Sequence, residues 1–160
     1  MDGGALITEQ AGAFREALPE GGVLLALDLG TMTIGIALCD AGWRFATAGK
    51  TLPRGKFSRD LAELRTLAES RAVKGIVLGL PRNMDASEGP RAQATRAYAR
   101  NLAPLGLPLL LWDERWSTAS AERDLIAQDT SRAKRAERID SHAAAVILQG
   151  AIDALAGSAF

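Results

Sequence analysis

Residues 23–38 read VLLALDLGTMTIGIAL, and this stretch decides the fold. It begins with an unbroken apolar run, which predicts a strand buried on both faces, and the run ends at Asp28. Gly30 and Thr31 predict a turn, after which the apolar residues 34–38 predict a second strand. A third strand is predicted over residues 43–51, so we expect the fold to open with three antiparallel strands.

Helix and strand segments alternate in the rest of the chain. Apolar residues recur at helical spacing from Phe57 to Ala68, behind Ser58, and predict a helix of about a dozen residues. Further strands are predicted at residues 75–80 and 107–112, and further helices at residues 90–101, from Ser117 or Thr118 to about Gln128, and from near Asp140 onward. This order predicts an α/β fold with a mixed five-stranded sheet, three antiparallel strands followed by parallel ones, and helices on both faces.

The length and composition fit one domain. The chain has 160 residues, of which 48% are hydrophobic, and this is enough apolar material for a real core. We expect the domain to span residues 22–157. Residues 1–21 are expected to form an N-terminal extension with one short helix, from about Glu9 to Leu18, and to take no part in the chemistry.

The charge and cysteine content exclude several classes of site. Nineteen Lys and Arg residues balance nineteen Asp and Glu residues, so nucleic acid would have to bind to a local basic surface. The single cysteine excludes a disulfide framework and a thiolate zinc site, and it fits a reducing, cytoplasmic setting. Acidic residues among the first twenty argue against a signal peptide, and no apolar run is long enough to span a membrane.

Three groups of carboxylates interrupt apolar elements. Asp28 ends the first strand, Asp113 and Glu114 follow the apolar residues 109–112, and Asp140 lies where the last helix is expected to begin. Each position has an ordinary structural explanation: a turn-forming Asp beside a glycine, a polar exit from a strand, and a helix N-cap. Ligands gather at strand ends in sheets of this kind, so a shared site is the competing interpretation.

The spacing of Asp140 favours a shared site. It lies at helical spacing with Ala144, Ile147, Ala151 and Leu155, on the stripe that must pack against the sheet. An unpaired buried anion is costly, and one divalent cation would compensate three converging carboxylates. Oxygen ligands suit Mg²⁺ or Mn²⁺, and a single histidine in the chain argues weakly against zinc.

Four segments stand out together along the chain: DLGTMTIGIA at residues 28–37, GLPRNMDASEGP at 79–90, DERWST at 113–118 and IDSHAAA at 139–145. In this order they resemble the YqgF (RuvX) family, over residues 23 to about 155. The resemblance implies a ribonuclease H-like fold related to the RuvC resolvases. It also implies a nuclease that matures the precursor of small-subunit ribosomal RNA or resolves Holliday junctions.

The resemblance assigns the acidic metal-binding triad of the family to Asp28, Glu114 and Asp140. Two ions about 3.5–4 Å apart can activate water and stabilise the leaving oxygen in phosphodiester hydrolysis, with Asp28 as the bridging ligand. No side-chain nucleophile is needed. The chain departs from the family at Met32, where a basic residue is common, and at Trp116, where an aliphatic residue is more usual.

Several polar residues are candidate contacts to nucleic acid or accessories to the metal site. Arg82 and Asn83 lie on a polar loop after a buried strand, and Arg115 is next to Glu114. Asp113 and His142 are possible accessory residues, although a surface helix position is the ordinary explanation for His142. A local basic run precedes Asp140, which a solvated segment explains equally well; its members are Arg132, Lys134, Arg135 and Arg138.

Other functions remain open at this point. An actin-like or sugar kinase also uses an Asp-x-Gly-Thr turn, but it needs two related domains. A non-catalytic nucleic-acid-binding module would keep the fold without the chemistry. Within the nuclease interpretation we favour ribosomal RNA maturation over cleavage of four-way DNA, which would require two active sites and therefore a homodimer.

Overall fold

The computed structural model describes residues 5–116 and 132–157, and for residues 132–140 it describes the backbone alone. The described chain contains seven strands and four α-helices. In chain order they are β1 (Ile7–Thr8), α1 (Ala11–Ala17), β2 (Leu24–Leu29), β3 (Thr33–Cys39), β4 (Ala46–Ala48), β5 (Leu52–Pro53), α2 (Phe57–Ser70), β6 (Gly75–Leu80), α3 (Pro90–Asn101), β7 (Leu109–Asp113) and α4 (Arg132–Gly157).

All of the described strands belong to one mixed sheet, which confirms the predicted fold class. The strand order is β1-β7-β6-β2-β3-β4, with β5 also paired to β3. β2 is antiparallel to β3 and parallel to β6, and β6 is parallel to β7. The C-terminal ends of β2, β6 and β7 therefore meet at one edge of the sheet, which we call the carboxyl edge.

Helices cover both faces of the sheet. Alternate residues of β2, such as Leu25 and Leu27, belong to the core beneath α2 and α3, whereas Leu24 and Ala26 belong to the core beneath α4. Side chains alternate between the faces of a strand, so Asp28 shares the α4 face with Leu24 and Ala26. The face on which each side chain lies decides which functional groups can meet.

The prediction of one continuous third strand over residues 43–51 is wrong. β4 pairs Ala48 with Ala37, and β5 pairs Leu52 with Ile34, so one extra residue lies between the two pairs on the β4–β5 side. An extra residue of this kind forms a β-bulge, which interrupts the ladder and bends the strand. The sheet consequently contains β4 and β5 in place of one long strand, and it gains β1, which pairs with β7.

The start of the last helix also differs from the prediction. α4 begins at Arg132, so Asp140 lies within the helix and is not its N-cap. Residues 132–139 are mostly strong helix formers and contain no glycine or proline, so nothing in them stops the helix from extending backward. Similarly, α2 begins at Phe57 with Lys56 as its N-cap, one residue before Ser58.

The helix expected from Ser117 or Thr118 to about Gln128 lies outside the described residues. Within the described part of the chain, no helix is both long and apolar enough to cross a membrane.

Candidate functional site

Asp28 lies at the carboxyl edge with glycine on both sides. It is 2% exposed, and it is the fifth residue of β2. Its partner in β3 is Gly35. Continuing the β2–β6 register by one residue beyond the Leu27–Leu78 pair places Gly79 on its other side. Because neither neighbour has a side chain, the sheet leaves space beside the Asp28 carboxylate on the α4 face, part of which Cδ1 of Ile147 fills above Gly79.

Glu114 reaches toward this space across Gly79. It begins a short 3-10 turn directly after β7 and is 7% exposed. A Cβ atom on Gly79 would lie 3.3 Å from Cγ and 3.4 Å from Cδ of Glu114, so the side chain of Glu114 packs over β6, the strand between β7 and β2. Neighbouring strands are about 4.8 Å apart, so the backbones of Asp28 and Glu114 are on the order of 10 Å apart. At this separation both carboxylates could reach the same pair of metal ions.

The backbone of Asp140 passes the same edge. Ser141, the next residue of α4, is buried and its Oγ is hydrogen-bonded to Oγ1 of Thr51, just before β5. β5 pairs with the start of β3, beside the end of β2 that holds Asp28. The side chain of Asp140 lies outside the described part of the structure, so its place in the triad stays a prediction.

Asp113 faces away from Asp28. It lies on the same face of β7 as Leu109 and Leu111, which belong to the core beneath α2 and α3. Its carboxylate accepts hydrogen bonds from Nε and Nη2 of Arg115 and from the Arg115 backbone N–H, at 2.6–3.1 Å. Burial raises the pKa of Asp113, but these hydrogen bonds outweigh it and leave the pKa below its ordinary value. Asp113 therefore anchors the turn that carries Glu114.

Arg82 lies in an ion-pair network beside the carboxyl edge. It pairs with Asp113, Glu88 and Glu9, and Arg96 pairs with the same two glutamates. The hydrogen bond from Arg96 is the main reason that the pKa of Glu88 falls to about 2, and burial opposes it only in part. Glu9 belongs to the N-terminal extension, so this segment, expected to take no part in the chemistry, contacts a predicted nucleic-acid-binding residue.

The other predicted contacts are placed as follows. Asn83 donates to Oγ of Ser87 within the loop at residues 81–89, and Arg115 donates from Nη1 to the carbonyl of Met84, which ties that loop to the Glu114 turn. His142 is half-buried on α4. The side chains of the basic run lie outside the described residues; its members are Arg132, Lys134, Arg135 and Arg138.

Sequence analysis did not select two arginines that contact the chain just after Asp28. Nη1 of Arg54 donates to the Gly30 carbonyl at 2.8 Å, and Nη2 of Arg91 donates to the Leu29 carbonyl at 3.3 Å. The guanidinium of Arg54 also lies over the ring of Tyr98, 5.5 Å from its centroid. Arg91 had a weak signal in its place at the start of α3, whereas nothing local connects Arg54 with Gly30.

The donor set of the described site fits a hard cation. Two buried carboxylates converge on a glycine-lined space, and carboxylate oxygens are the ligands that Mg²⁺ and Mn²⁺ prefer. Among the described side chains, which do not include Asp140, no group of three or more potential metal ligands is present. The structure describes the side chains of two of the three predicted ligands, Asp28 and Glu114, and the metal site itself stays a prediction.

Comparison with known proteins identifies the family of the chain. Residues 22–154 match the RuvX family, described as a Holliday junction resolvase. A protein of Novosphingobium aromaticivorans named "Putative pre-16S rRNA nuclease" is 68% identical and covers 97% of this chain and 100% of its own length. A protein of the same name from Sphingopyxis alaskensis is 66% identical over 94% of this chain and 99% of its own length.

The fold is also that of a solved resolvase. RuvC of Thermus thermophilus, solved in complex with a Holliday junction, covers 86% of this chain and 97% of its own with a TM-score of 0.53. The sequence identity is 13%, so this likeness concerns the fold, which is the expected ribonuclease H-like one. By the family match and the highly similar relatives, this chain belongs to the RuvX family.

Proposed function

We propose that this protein is a metal-dependent endonuclease that hydrolyses phosphodiester bonds during maturation of the 5′ end of pre-16S ribosomal RNA. The observation that supports it best is the pair of buried carboxylates, Asp28 and Glu114, brought to one edge of the sheet across Gly79. Carboxylate oxygens brought together in this way are the ligands that a hard divalent cation prefers. Such a role would place the protein in the cytoplasm, with ribosome precursors.

The proposed cofactor is Mg²⁺ or Mn²⁺, as two ions. Asp28 and Glu114 would hold them, with Asp140 as the third ligand. When bound, such ions lower the pKa of water and stabilise negative charge at the attacked phosphate. The chain itself provides the ligands, keeps them apart from bulk water by burial, and fixes the turn of Glu114 through Asp113 and Arg115.

Basic residues around the carboxyl edge would bind the substrate backbone. Arg54 and Arg91 lie against the carbonyls that follow Asp28, and their remaining donors suit a phosphate that approaches the carboxyl edge from the side of α3. Arg82 and Asn83, on the loop after β6, would contact phosphates that approach the carboxyl edge. The basic run would contact the bound nucleic-acid strand farther from the cleavage position, through Arg132, Lys134, Arg135 and Arg138.

Resolution of four-way DNA junctions is the second candidate function. The description of the RuvX family favours it. Cleavage of a junction at two symmetric positions needs two active sites, so this function also requires a homodimer. Ribosomal RNA maturation is preferred because the highly similar relatives are named for it.

The test compares the wild-type protein with Asp28→Asn on a ribosomal RNA leader and on a synthetic junction, each with Mg²⁺ and with Mn²⁺. Asp153→Asn, an exposed position on α4, is the matched control for the same chemical change. We expect the wild type and the control to cleave the leader and Asp28→Asn to be inactive. We also expect Mn²⁺ to raise the melting temperature of the wild type and the control, but not of Asp28→Asn.

Each other outcome has a definite meaning. Cleavage of the junction alone would transfer the function to the second candidate. Cleavage that survives Asp28→Asn would refute the proposed mechanism. Binding of nucleic acid with neither cleavage nor a metal-dependent rise in melting temperature would make the protein a non-catalytic binding module.

A further inference from the structure

Three exposed apolar side chains surround the carboxyl edge. They are Met32 on the turn after β2, Met84 on the loop after β6 and Trp116 on the turn after β7, which are 76%, 86% and 60% exposed. Each of the three parallel strands is therefore followed by one such residue. Half of the six exposed large apolar residues in the described chain lie on these loops, next to carboxylates and arginines.

Trp116 packs against the sheet although it is exposed. Its ring packs edge-on against the buried Trp112, with centroids 5.4 Å apart and an interplanar angle of 83°. The turn that carries it is fixed by the four hydrogen bonds from Arg115 to the Asp113 carboxylate. Whichever of the two rings presents its edge, Trp112 covers at most one face of the Trp116 ring.

The position of this ring limits what can cover it. Trp116 follows the proposed metal ligand Glu114 by two residues, and Arg115 and Glu114 give it charged neighbours in place of an extended apolar surface. A flat π surface beside a phosphate-binding edge matches one nucleotide, whose base is planar and apolar on its faces and whose phosphate is charged. An apolar protein helix would require a continuous groove.

We infer that Trp116 is a stacking site for one unpaired nucleobase next to the scissile phosphate, with Met84 at its rim. The inference rests on the proposed nuclease function and adds the class of substrate. A base within a duplex already has both faces stacked on its neighbours, so it cannot lie on Trp116 without leaving the helix. The protein should therefore prefer single-stranded nucleic acid around the cleavage position.

Binding measurements test the inference apart from catalysis. In an Asp28→Asn background, which leaves the oligonucleotide intact, the anisotropy of a labelled single-stranded RNA gives the dissociation constant, with the same sequence paired to its complement as the second probe. We expect Trp116→Leu to weaken single-strand binding roughly 5- to 150-fold, the range that stacking energies imply. Duplex binding should not change. Trp116→Phe, which keeps a ring, should restore most of the affinity.

Phe45→Leu is the matched control, because Phe45 is 72% exposed and lies before β4, at the opposite end of the sheet from Asp28. It should bind both probes as the parent does. Single-stranded RNA should also quench tryptophan fluorescence in the parent, and this quenching should be lost in Trp116→Phe. The fluorescence readout remains informative even if the leucine variant folds poorly.

The two proposals can fail separately. If the wild type cleaves RNA and Trp116→Leu binds single strands as tightly as its parent, the stacking site is refuted and the nuclease stands. If Trp116→Leu loses single-strand affinity but no variant cleaves, the stacking site stands without the nuclease. A fluorescence change that depends on protein concentration, without RNA, would assign the surface to a second copy of the chain and overturn the inference.

Discussion

Substitution of Gly79 by alanine should damage the site more than the fold. The added Cβ would lie 2.6 Å from Cδ1 of Ile147 and 3.3–3.4 Å from Cγ and Cδ of Glu114. Overpacking typically costs about 1–3 kcal/mol, and alanine recovers about 0.5–1 kcal/mol over glycine in a strand. We therefore expect the free energy of unfolding to fall by up to about 2.5 kcal/mol, or the melting temperature by up to about 10 °C.

Cleavage should fall further than this loss of stability explains. Domains are stable by about 5–15 kcal/mol, so the variant remains almost fully folded. Its Cβ, however, forces Glu114 to move by a few tenths of an ångström, and a displacement of about 1 Å at a reacting group can cost about 100-fold in rate. We expect a loss of cleavage of up to about tenfold.

A second substitution separates the two effects. Ile147→Val removes Cδ1, the atom that the new Cβ approaches most closely, and leaves the contact with Glu114. The double variant Gly79→Ala/Ile147→Val should regain thermal stability in differential scanning calorimetry but not cleavage. Wild-type cleavage in the single variant, or recovery of cleavage in the double variant, would show that Gly79 does not make room for Glu114.

Three further predictions concern charges around the site. Arg54→Gln should weaken binding of single-stranded and duplex RNA alike and reduce the slope of log affinity against log salt concentration by about one. The control Arg59→Gln, at an exposed position, should change neither quantity. Equal slopes for Arg54→Gln and the wild type in salt titrations would contradict the prediction. Glu88 has a pKa of about 2, below its ordinary 4.5, so its stabilising contribution is present above pH 4.5 and is lost as the pH falls toward 2. The difference in unfolding free energy between wild type and Glu88→Gln, from urea titrations, should therefore shrink over that interval, and a constant difference would refute the role of the ion pairs. Asp113→Asn should lower the free energy of unfolding by about 1–3 kcal/mol, because two arginines lose a charged acceptor; urea unfolding with an unchanged midpoint would contradict it.

Much of the fold was predictable because the signals are local. β6 coincides with the predicted residues 75–80, and α3 runs from Pro90 to Asn101 as predicted. An apolar run bounded by turn residues specifies a buried strand, and a proline in the first turn followed by good helix formers specifies a helix start. The β-bulge between β4 and β5 had no comparable signal, since it depends on register with β3.

The candidate site was predictable only in part. Asp28 and Glu114 could be selected because they end apolar runs. The parity that turns Asp113 to the other face, and its hydrogen bonds with Arg115, emerge from the strand register and the turn that follows it. The pairing of Glu9 with Arg82 joins residues that are 73 positions apart, and no local pattern reports such a contact.

The sequence by itself determined the order of the elements, the buried strands and the acids at their ends, because apolar periodicity and turn chemistry act over a few residues. Tertiary structure alone decided which of those acids share a face, that Gly79 clears the path of Glu114, and that Arg54 lies against Gly30. The physical reason is that these relations are set by strand pairing and helix packing. They depend on where distant segments meet, and each segment is compatible with many partners until the whole chain has folded.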